Sequence, residues 1–435
     1  MDDDTLAVSG GKPVRTRPWP KWPQAERPEF DALADVLASS RWAVSGPFDG
    51  RVCYERRFAR EFAAFHEVPF CTPTSSGTAA LLIALQAVGV GRGDEVLVPG
   101  LTWVACASVV VSLGAVPVLV DIDPDTLTMS PERARAACSS RTAAIVLVHL
   151  FCSVADLDAF TALSQELGIT LIEDCAQAHG ARWRGRPVGT FGAAGCFSMQ
   201  QSKLLTSGEG GAAITSDEKL HDRMEQLRCD GRRFASEPVA GRLELVEVGT
   251  VQGRNLCLSE FQSAVLLTGL RRLSEQNRAR AHRVHELESR LECIDGVSVL
   301  PHDPRVTTRT YYNYVLRFDL DAFAGAKVDA IARALSAELG TIVSPVYVPL
   351  NRHRLLCPVR APRGDMSAAE LARLDPAQFA LPAAERARES CVTLTHPVLL
   401  GDQSGMDDIA AALGKVQQRA KDLLDLPPEV SAWAF

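Results

Sequence analysis

The stretch EVLVPGLTWVACASVVVSLGAVPVLVDI, residues 95–122, contains no charged residue between Val96 and Val120. An uncharged run of this length is long enough to cross a membrane. However, Pro99-Gly100, Gly114 and Pro117 divide it. Because proline and glycine interrupt helices, the pattern predicts a strand (EVLVP), a helix at roughly 102–113 and a second strand (VPVLVDI). The stretch therefore predicts a buried α/β unit and not a membrane helix.

The same alternation continues on both sides of this unit. Short, uniformly apolar strands are predicted at 143–150, 170–175, 195–200 and 211–215, and helices at about 77–88, 131–138 and 155–167. Strands without polar alternation that are separated by helices are typical of a mostly parallel sheet covered on both faces. We therefore predict an α/β fold.

The chain divides into three predicted parts. Residues 1–50, rich in proline and tryptophan (RPWPKWP), form an N-terminal arm; residues 51–270 form a large domain; residues 271–435 form a smaller C-terminal α+β domain. A long helix at about 259–292 links the last two, and an amphipathic helix follows near 326–339.

Composition excludes several classes of function. The 435 residues, 46% of them hydrophobic, are enough for a large core. The net charge of −7 and the lack of a basic run argue against nucleic acid as a partner. Twelve cysteines without a C-x-x-C pair predict buried free thiols in a reducing cytoplasm, and no metal site. The start, MDDD, lacks the basic and apolar segments of a signal peptide, so we expect a cytoplasmic protein that does not associate with membranes.

Three short motifs carry candidate chemistry. Lys203 lies in FSMQQSKLLTSGEGG, between the end of a buried strand and a glycine-rich segment, and Asp174 ends the strand at 170–175. In open α/β sheets, ligands bind beyond the carboxyl ends of the strands. Ser76, Gly77 and Thr78 precede an apolar helical run, where a helix N-terminus can bind an anion. Taken singly, each has an ordinary alternative: a surface lysine, a turn aspartate and a plain N-cap serine.

Together the three motifs suit one cofactor. Pyridoxal phosphate needs a lysine amine for covalent attachment, a carboxylate that pairs with its pyridinium nitrogen, and a phosphate site. Lys203, Asp174 and the segment at 75–78 provide these three features.

Longer motifs carry a family resemblance over nearly the whole chain. They include TSSGTAALLIAL, IEDCAQAHGARWRGRPVGTFG, FSMQQSKLLTSGEGGAAIT and GRNLCLSEFQSA. The chain resembles the DegT/StrS family of pyridoxal-phosphate-dependent sugar aminotransferases, which implies the fold type I (aspartate aminotransferase-like) architecture. RWAVSGPFDGRVCYERRFA and RTYYNYVLRFD make it most similar to the glutamine-dependent aminotransferases of aminoglycoside biosynthesis, which act on scyllo-inosose or 2-deoxy-scyllo-inosose.

The resemblance also implies roles for individual residues. Lys203 would bind the cofactor covalently and later move the proton, and Asp174 would pair with the pyridine nitrogen. Gln177 would lie near the phenolic oxygen of the cofactor, and Trp103 would stack on its ring. The phosphate would be held by residues from two segments: Ser76, Gly77, Thr78 and Ser198. Asn255 would reach the phosphate of the neighbouring subunit's cofactor, which implies a homodimer with active sites at the interface.

The implied reaction is a two-step transfer in which L-glutamine gives its amine to the cofactor and a keto-cyclitol then takes it. Three alternatives stay open: an aminotransferase for a nucleotide-linked keto-sugar, an amino-aromatic synthase, and a catalytically silent binding module. The chain departs from many relatives at Asn351, where they have histidine, and from some at Ser202, where they have glycine. His179, next to Gly180, is interpreted as structural.

Overall fold

A seven-stranded sheet contains all the predicted strands. The computed structural model describes residues 5–357 and 372–426. The strands of this sheet are β1 (Phe70–Thr74), β2 (Glu95–Pro99), β3 (Val116–Val120), β4 (Thr142–Val148), β5 (Thr170–Asp174), β8 (Ala194–Ser198) and β9 (Gly211–Thr215). Their order is β1-β9-β8-β5-β4-β2-β3, and β9 alone among them runs antiparallel to its neighbours. The prediction of a mostly parallel sheet is confirmed.

Seven helices accompany these strands: two precede β1, four lie between strands of the sheet, and one follows β9. They are α1 (Arg27–Ser39), α2 (Tyr54–Phe65), α3 (Gly77–Ala87), α4 (Ala105–Ser112), α5 (Pro131–Ala137), α6 (Leu157–Leu167) and α7 (Glu218–Arg228). Most side chains of α3 are buried, which agrees with its uniformly apolar sequence. Two short sheets lie outside the main one: β6 (Arg182–Trp183), β7 (Arg186–Pro187) and β13 (Val306–Thr308) form one, and β10 (Arg232–Phe234) pairs with β11 (Leu245–Glu247) in the other.

The uncharged stretch at 96–120 folds as predicted, as β2, α4 and β3. Val96, Leu97 and Val98 have no exposed surface, because a parallel strand in the middle of a sheet is covered on both faces. The helix begins at Ala105, three residues after the predicted start, since residues 100–104 form a loop at the end of β2. Within the described part of the chain, no helix combines the length and the apolar character needed to cross a bilayer.

The sequence did not predict β1. Its residues, FCTPT, include Pro73 and two threonines and lack a continuous apolar run. The strand forms because it pairs along its whole length with β9, some 140 residues later, and its position at the sheet edge tolerates the proline.

A 32-residue helix, α8 (Glu260–Leu291), connects the two main sheets and agrees with the predicted helix at 259–292. The side chain of Ser259 accepts from the backbone N–H of Gln262, and Gln262 in turn accepts from the backbone N–H of Ser259, so both form a capping box. The C-terminal elements are β12 (Val297–Val299), β14 (Asn313–Phe318), α9 (Val328–Leu339), β15 (Val343–Pro345), α10 (Pro382–Ser390), β16 (Cys391–Thr395) and α11 (Gln403–Gln418). Their strands form a four-stranded antiparallel sheet, ordered β12-β14-β16-β15.

The domain boundaries at residues 50 and 270 stay a prediction. Residues 1–4 of the predicted arm, and residues 358–371 and 427–435 of the predicted small domain, lie outside the described residues.

The N-terminal segment packs against the C-terminal elements. Arg15 forms an ion pair with Asp408 of α11 at 2.7 Å, and its guanidinium lies 3.6 Å from the ring centroid of Trp19. The Trp19 indole donates to the carbonyl of Leu339 at 2.7 Å. These contacts hold the segment that precedes Trp22. Trp22 itself lines the cavity that also contains Lys203.

All twelve cysteines are free thiols. Eight are buried, as predicted, whereas Cys293 and Cys357 are exposed and Cys138 and Cys257 are half-buried.

Candidate active site

A cavity of about 640 Å³ lies where β5 and β8 end and α3 and α4 begin. Eight of the nine predicted site residues line it: Ser76, Gly77, Thr78, Trp103, Asp174, Gln177, Ser198 and Lys203. Side chains that lie 127 residues apart in the sequence, from Ser76 to Lys203, thus share one cavity at the carboxyl ends of parallel strands.

The Asp174 carboxylate is held from both sides at the end of β5. Its Oδ1 accepts from the backbone N–H of Ala176 at 3.0 Å, and its Oδ2 accepts from the Cys106 thiol at 3.1 Å. Burial and the neighbouring carboxylate raise the pKa of Cys106 well above its usual value, so the thiol keeps its proton and donates it. A carboxyl group with both oxygens fixed therefore lies in the cavity wall.

Glu173, one residue earlier on the same strand, points to the other side of the sheet. It accepts from the backbone N–H groups of Gly189, Phe191 and Gly192 at 2.6–2.8 Å, and His149 Nε2 lies 3.2 Å from it. Because successive strand residues face opposite sides, Glu173 supports a loop while Asp174 faces the cavity.

Lys203 follows β8 on a turn in which its backbone N–H donates to the carbonyl of Gln200 at 2.8 Å. Its Nζ lies 4.2 Å from the ring centroid of Tyr312. Among the described residues, no carboxylate forms an ion pair with this amine. An amine that faces an aromatic ring in a cavity is available for covalent chemistry, unlike a lysine in a surface ion pair.

The N-terminus of α3 forms an anion site with a close backbone approach. Ser76 caps the helix by accepting from the N–H of Ala79 at 3.1 Å, and the first helical N–H groups have no partner within the helix. A Cβ at Gly77 would lie 2.6 Å from the Cβ of Ser198, and one at Gly211 would lie 2.4 Å from the backbone of Ser76. Only glycine fits at either position, and the resulting pocket, next to the Ser198 hydroxyl, fits a phosphate group.

Gln177 and Trp103 complete the cavity beside Tyr347. Gln177 Oε1 accepts from the backbone N–H of Phe151 at 2.6 Å, and its Nε2 donates to the Tyr347 hydroxyl at 3.2 Å. The ring centroids of Trp103 and Tyr347 are 6.1 Å apart, and Trp103 keeps 38% of its surface exposed. A large indole that keeps this much exposed surface is a suitable platform for a planar ligand. Burial, together with the nearby Tyr312, raises the pKa of Tyr347 well above its usual value, so its hydroxyl stays protonated.

Asn255, the ninth predicted residue, is exposed and lies outside the lining of this cavity. It pairs with Cys229 in an isolated β-bridge, and the carbonyl of the next residue, Leu256, accepts from the N–H of Ser75 at 2.8 Å. The structure thus places it beside the segment that leads into the phosphate pocket, but not in its own chain's cavity.

His179 does not line the cavity. It is fully buried, and neither of its ring nitrogens has a hydrogen-bond partner among the described residues. Burial and the nearby Lys203 lower its pKa to about 3, so the ring stays neutral at physiological pH.

Several residues of the cavity were not predicted from the sequence. The cavity is also lined by Trp22, Tyr312, Tyr347 and His396. In addition, the Cys106 thiol donates a hydrogen bond to Asp174. The arm sequence RPWPKWP and the motif RTYYNYVLRFD contain two of them. The aromatic residues of these two motifs could have indicated a ligand site. However, no rule of sequence spacing predicts that residues so far apart line the same cavity.

A second cleft is larger, about 1130 Å³, but lacks this chemistry. It lies between α2 and α7 and is lined by charged side chains, Arg56, Arg60 and Arg223 among them. None of the predicted site residues lines it.

Comparison with known proteins agrees with the site geometry. A family model, the DegT/DnrJ/EryC1/StrS aminotransferase family, matches residues 23–373. The chain belongs to this family. Together with the cavity described above, membership identifies the protein as an aminotransferase that depends on pyridoxal phosphate. The predicted fold, cofactor and enzyme class are confirmed.

Members of the DegT/DnrJ/EryC1/StrS family are similar to this chain over nearly its full length. The L-glutamine:2-deoxy-scyllo-inosose aminotransferase of Streptoalloteichus tenebrarius is 52% identical over 96% of this chain and 99% of its own length. The L-glutamine:scyllo-inosose aminotransferase of Streptomyces griseus is 48% identical over 97% of this chain and 99% of its own length. Among solved structures, 3-amino-5-hydroxybenzoic acid synthase matches with a TM-score of 0.77 and 30% identity, covering 94% of this chain and all of that one.

Proposed function

We propose that this aminotransferase moves the amine of L-glutamine to a keto-cyclitol, scyllo-inosose or 2-deoxy-scyllo-inosose, in aminoglycoside biosynthesis. The observation that carries the proposal is the identity of 48–52% over nearly the whole chain to relatives named for these reactions. Glutamine would bind first and leave as 2-oxoglutaramate, and the keto-cyclitol would then enter the same cavity. The reaction would take place in the cytoplasm.

The cavity lining supports a small uncharged acceptor. Lys203 is the only lysine or arginine among the described residues that line the cavity. The remainder of the lining includes amide and hydroxyl groups such as Gln200, Asn313 and Thr395. A nucleotide-linked sugar carries a diphosphate, which proteins usually bind with arginine or lysine, whereas a polyol needs hydrogen bonds.

The site residues would act on a bound cofactor as follows. The helix start at 76–78 and Ser198 would hold its phosphate, Asp174 would keep its ring nitrogen protonated, and Trp103 would stack on the ring. Gln177 would lie near its phenolic oxygen. When bound, pyridoxal phosphate supplies an electron sink for the bonds of the attached carbon.

Lys203 would be the acid and base of both half-reactions. Its Nζ would hold the cofactor before substrate arrives, and would then take the proton from the carbon that carries the amine. The ring of Tyr312, whose centroid lies 4.2 Å from Nζ, would help to position the amine between these steps.

We also propose a homodimer. The support is the position of Asn255, exposed and outside its own cavity, as expected of a residue that serves the partner's site.

The test is the near-visible absorption spectrum of the purified protein before and after glutamine is added. We expect the purified protein to be yellow. Glutamine should remove the near-visible absorption band, and a keto-cyclitol should then restore it. Lys203→Ala should lose both responses, whereas Lys421→Ala, which changes an exposed lysine outside the cavity lining, should keep them. If glutamine leaves the band unchanged, or only nucleotide-linked keto-sugars restore it, the proposal is wrong; an aromatic amine as product would indicate the synthase alternative.

A further inference from the structure

Trp22 belongs to the N-terminal segment, yet it lines the cavity together with Lys203. Its hydrogen bond and its ring contacts are with Gln201, His396 and Arg280, which are not among the residues that would hold the cofactor. Around it the lining contains Gln200, Gln201 and His396, so an aromatic surface lies next to hydrogen-bonding groups.

The indole of Trp22 is fixed by three contacts. Its Nε1 donates to the carbonyl of Gln201 at 3.0 Å, on the turn that carries Lys203. The ring of His396 meets it edge to face, with centroids 4.6 Å apart and an interplanar angle of 85°. The guanidinium of Arg280 lies 5.4 Å from the indole centroid.

Arg280 makes the third contact unusual. It has no exposed surface, and its only hydrogen bond among the described residues is from Nη1 to Asn277 Oδ1 at 3.0 Å; Nε and Nη2 have no partner. No carboxylate in the described part of the chain forms an ion pair with it. The ring of Trp22 and the side-chain oxygen of Asn277 are thus the two contacts of this buried cation that the described residues provide, and the guanidinium in turn helps to hold the indole in place.

The chemistry of the acceptor fits such a surface. In the scyllo configuration every hydroxyl is equatorial, so the ring has axial C–H groups on both faces and hydroxyls only around its rim. A ring of this kind binds well against an aromatic side chain surrounded by amides, because the C–H groups meet the π-electrons and the rim hydroxyls find hydrogen bonds.

We propose that Trp22 is the surface against which the apolar face of the keto-cyclitol binds, and that it thereby selects the acceptor. The proposal rests on the proposed function. Glutamine is acyclic and has no such face, so Trp22 serves the second half-reaction and contributes little to the first. The N-terminal segment is in this way part of the substrate site.

The experiment measures the two half-reactions separately on the cofactor-loaded enzyme, from the loss of the near-visible band with glutamine and its return with 2-deoxy-scyllo-inosose. Trp22→Ala should raise the cyclitol concentration for half-maximal rate by about tenfold or more, while the glutamine half-reaction changes less than about twofold. Trp22→Phe should keep most of the wild-type affinity. Lys21→Ala, next to it and exposed, is the matched control and should behave as wild type.

A binding measurement separates affinity from rate. Calorimetric titration with scyllo-inositol, which has the ring but no ketone, should show weaker binding to Trp22→Ala than to wild type. If the alanine variant does not retain cofactor, Trp22→Leu replaces it; leucine is apolar but has no aromatic face, and the same loss is expected.

Three outcomes overturn the proposal. Equal slowing of both half-reactions would show that Trp22 only supports the fold, and wild-type cyclitol affinity in the alanine or leucine variant would show that it does not contact the acceptor. In either case wild type still aminates the cyclitol, so the proposed function stands. If wild type aminates no cyclitol at all, the proposed function fails and this inference fails with it.

Discussion

At the scale of single residues, Asp174 depends on a neighbour that its own strand does not provide. Cys106, on α4, donates its thiol proton to Oδ2, while the backbone of Ala176 holds Oδ1. The sequence indicated Asp174 because it ends an apolar strand, but the hydrogen bond from Cys106 depends on how two strand ends and a helix pack. Trp22 and Tyr312 were missed for the same reason.

Removing the thiol tests this dependence. Cys106→Ala should weaken pyridoxal phosphate binding by about fivefold, because a thiol is a weak donor and a hydrogen bond to a charged group contributes about 1 kcal/mol in such a case. Cys106→Ser should restore the affinity, and the exposed Cys293→Ala is the control. Equilibrium dialysis of the cofactor measures the change; equal affinity in all variants would contradict the assigned contact.

Gly77 is a second test at this scale. In Gly77→Ala the new Cβ would lie 2.6 Å from Ser198, so the helix start or the end of β8 must move. We expect cofactor affinity to fall by at least about tenfold, since the phosphate pocket changes shape. Gly91→Ala, whose new Cβ would meet nothing within 4 Å, should bind normally. Normal cofactor binding by Gly77→Ala would show that the pocket does not hold the phosphate.

At the scale of elements, the strands of the parallel sheet could be predicted because burial on both faces makes them uniformly apolar. The long helix α8 could also be predicted, since its capping box and apolar spacing are local signals. By contrast, β1 owes its existence to pairing with β9, and the start of α4 is shifted by the loop that contains Trp103. Such features depend on contacts between distant segments.

The cap of α8 gives a prediction about stability. Ser259→Ala removes the side-chain oxygen that accepts from Gln262, and should lower the free energy of unfolding by about 1 kcal/mol. Ser289→Ala, near the other end of the same helix and exposed, should change it by less than about 0.5 kcal/mol. Urea unfolding of the cofactor-loaded proteins compares them, and equal stability of the two variants would argue against the cap.

At the scale of the whole molecule, buried imidazoles, His66 and His179 among them, make stability depend on pH. Burial lowers the pKa of His66 to about 4 and that of His179 to about 3, from 6.5 when unfolded. The unfolded chain therefore binds more protons below pH 6.5, and the stability present above that pH is lost as the pH falls. For each of these histidines, the free energy of unfolding should fall by about 1.4 kcal/mol for every pH unit below 6.5, until the pH reaches the folded pKa. His66→Asn should reduce this slope in urea unfolding at pH 7.5, 6.5 and 5.5; an unchanged slope would contradict the assignment.

Subunit mixing tests the proposed dimer. Lys203→Ala and Asn255→Asp should each be nearly inactive alone. In a mixed dimer, one site would combine the intact lysine of one subunit with the intact asparagine of the other, so about half of the wild-type activity should return if Asn255 acts on the partner's site. If Asn255 acts within its own chain, no site is intact and mixing restores nothing.

The ion pair between Arg15 and Asp408 has a consequence for biosynthesis of the chain. The segment that carries Arg15 and Trp22 is translated before one of its anchors, Asp408, which follows almost four hundred residues after Arg15. Trp22 can meet Gln201, Arg280 and His396 before α11 has emerged, but the ion pair that holds the preceding segment forms only afterwards. Nascent chains released before residue 408 should lack this ion pair, so the N-terminal segment should be held less firmly in them than in chains that include α11.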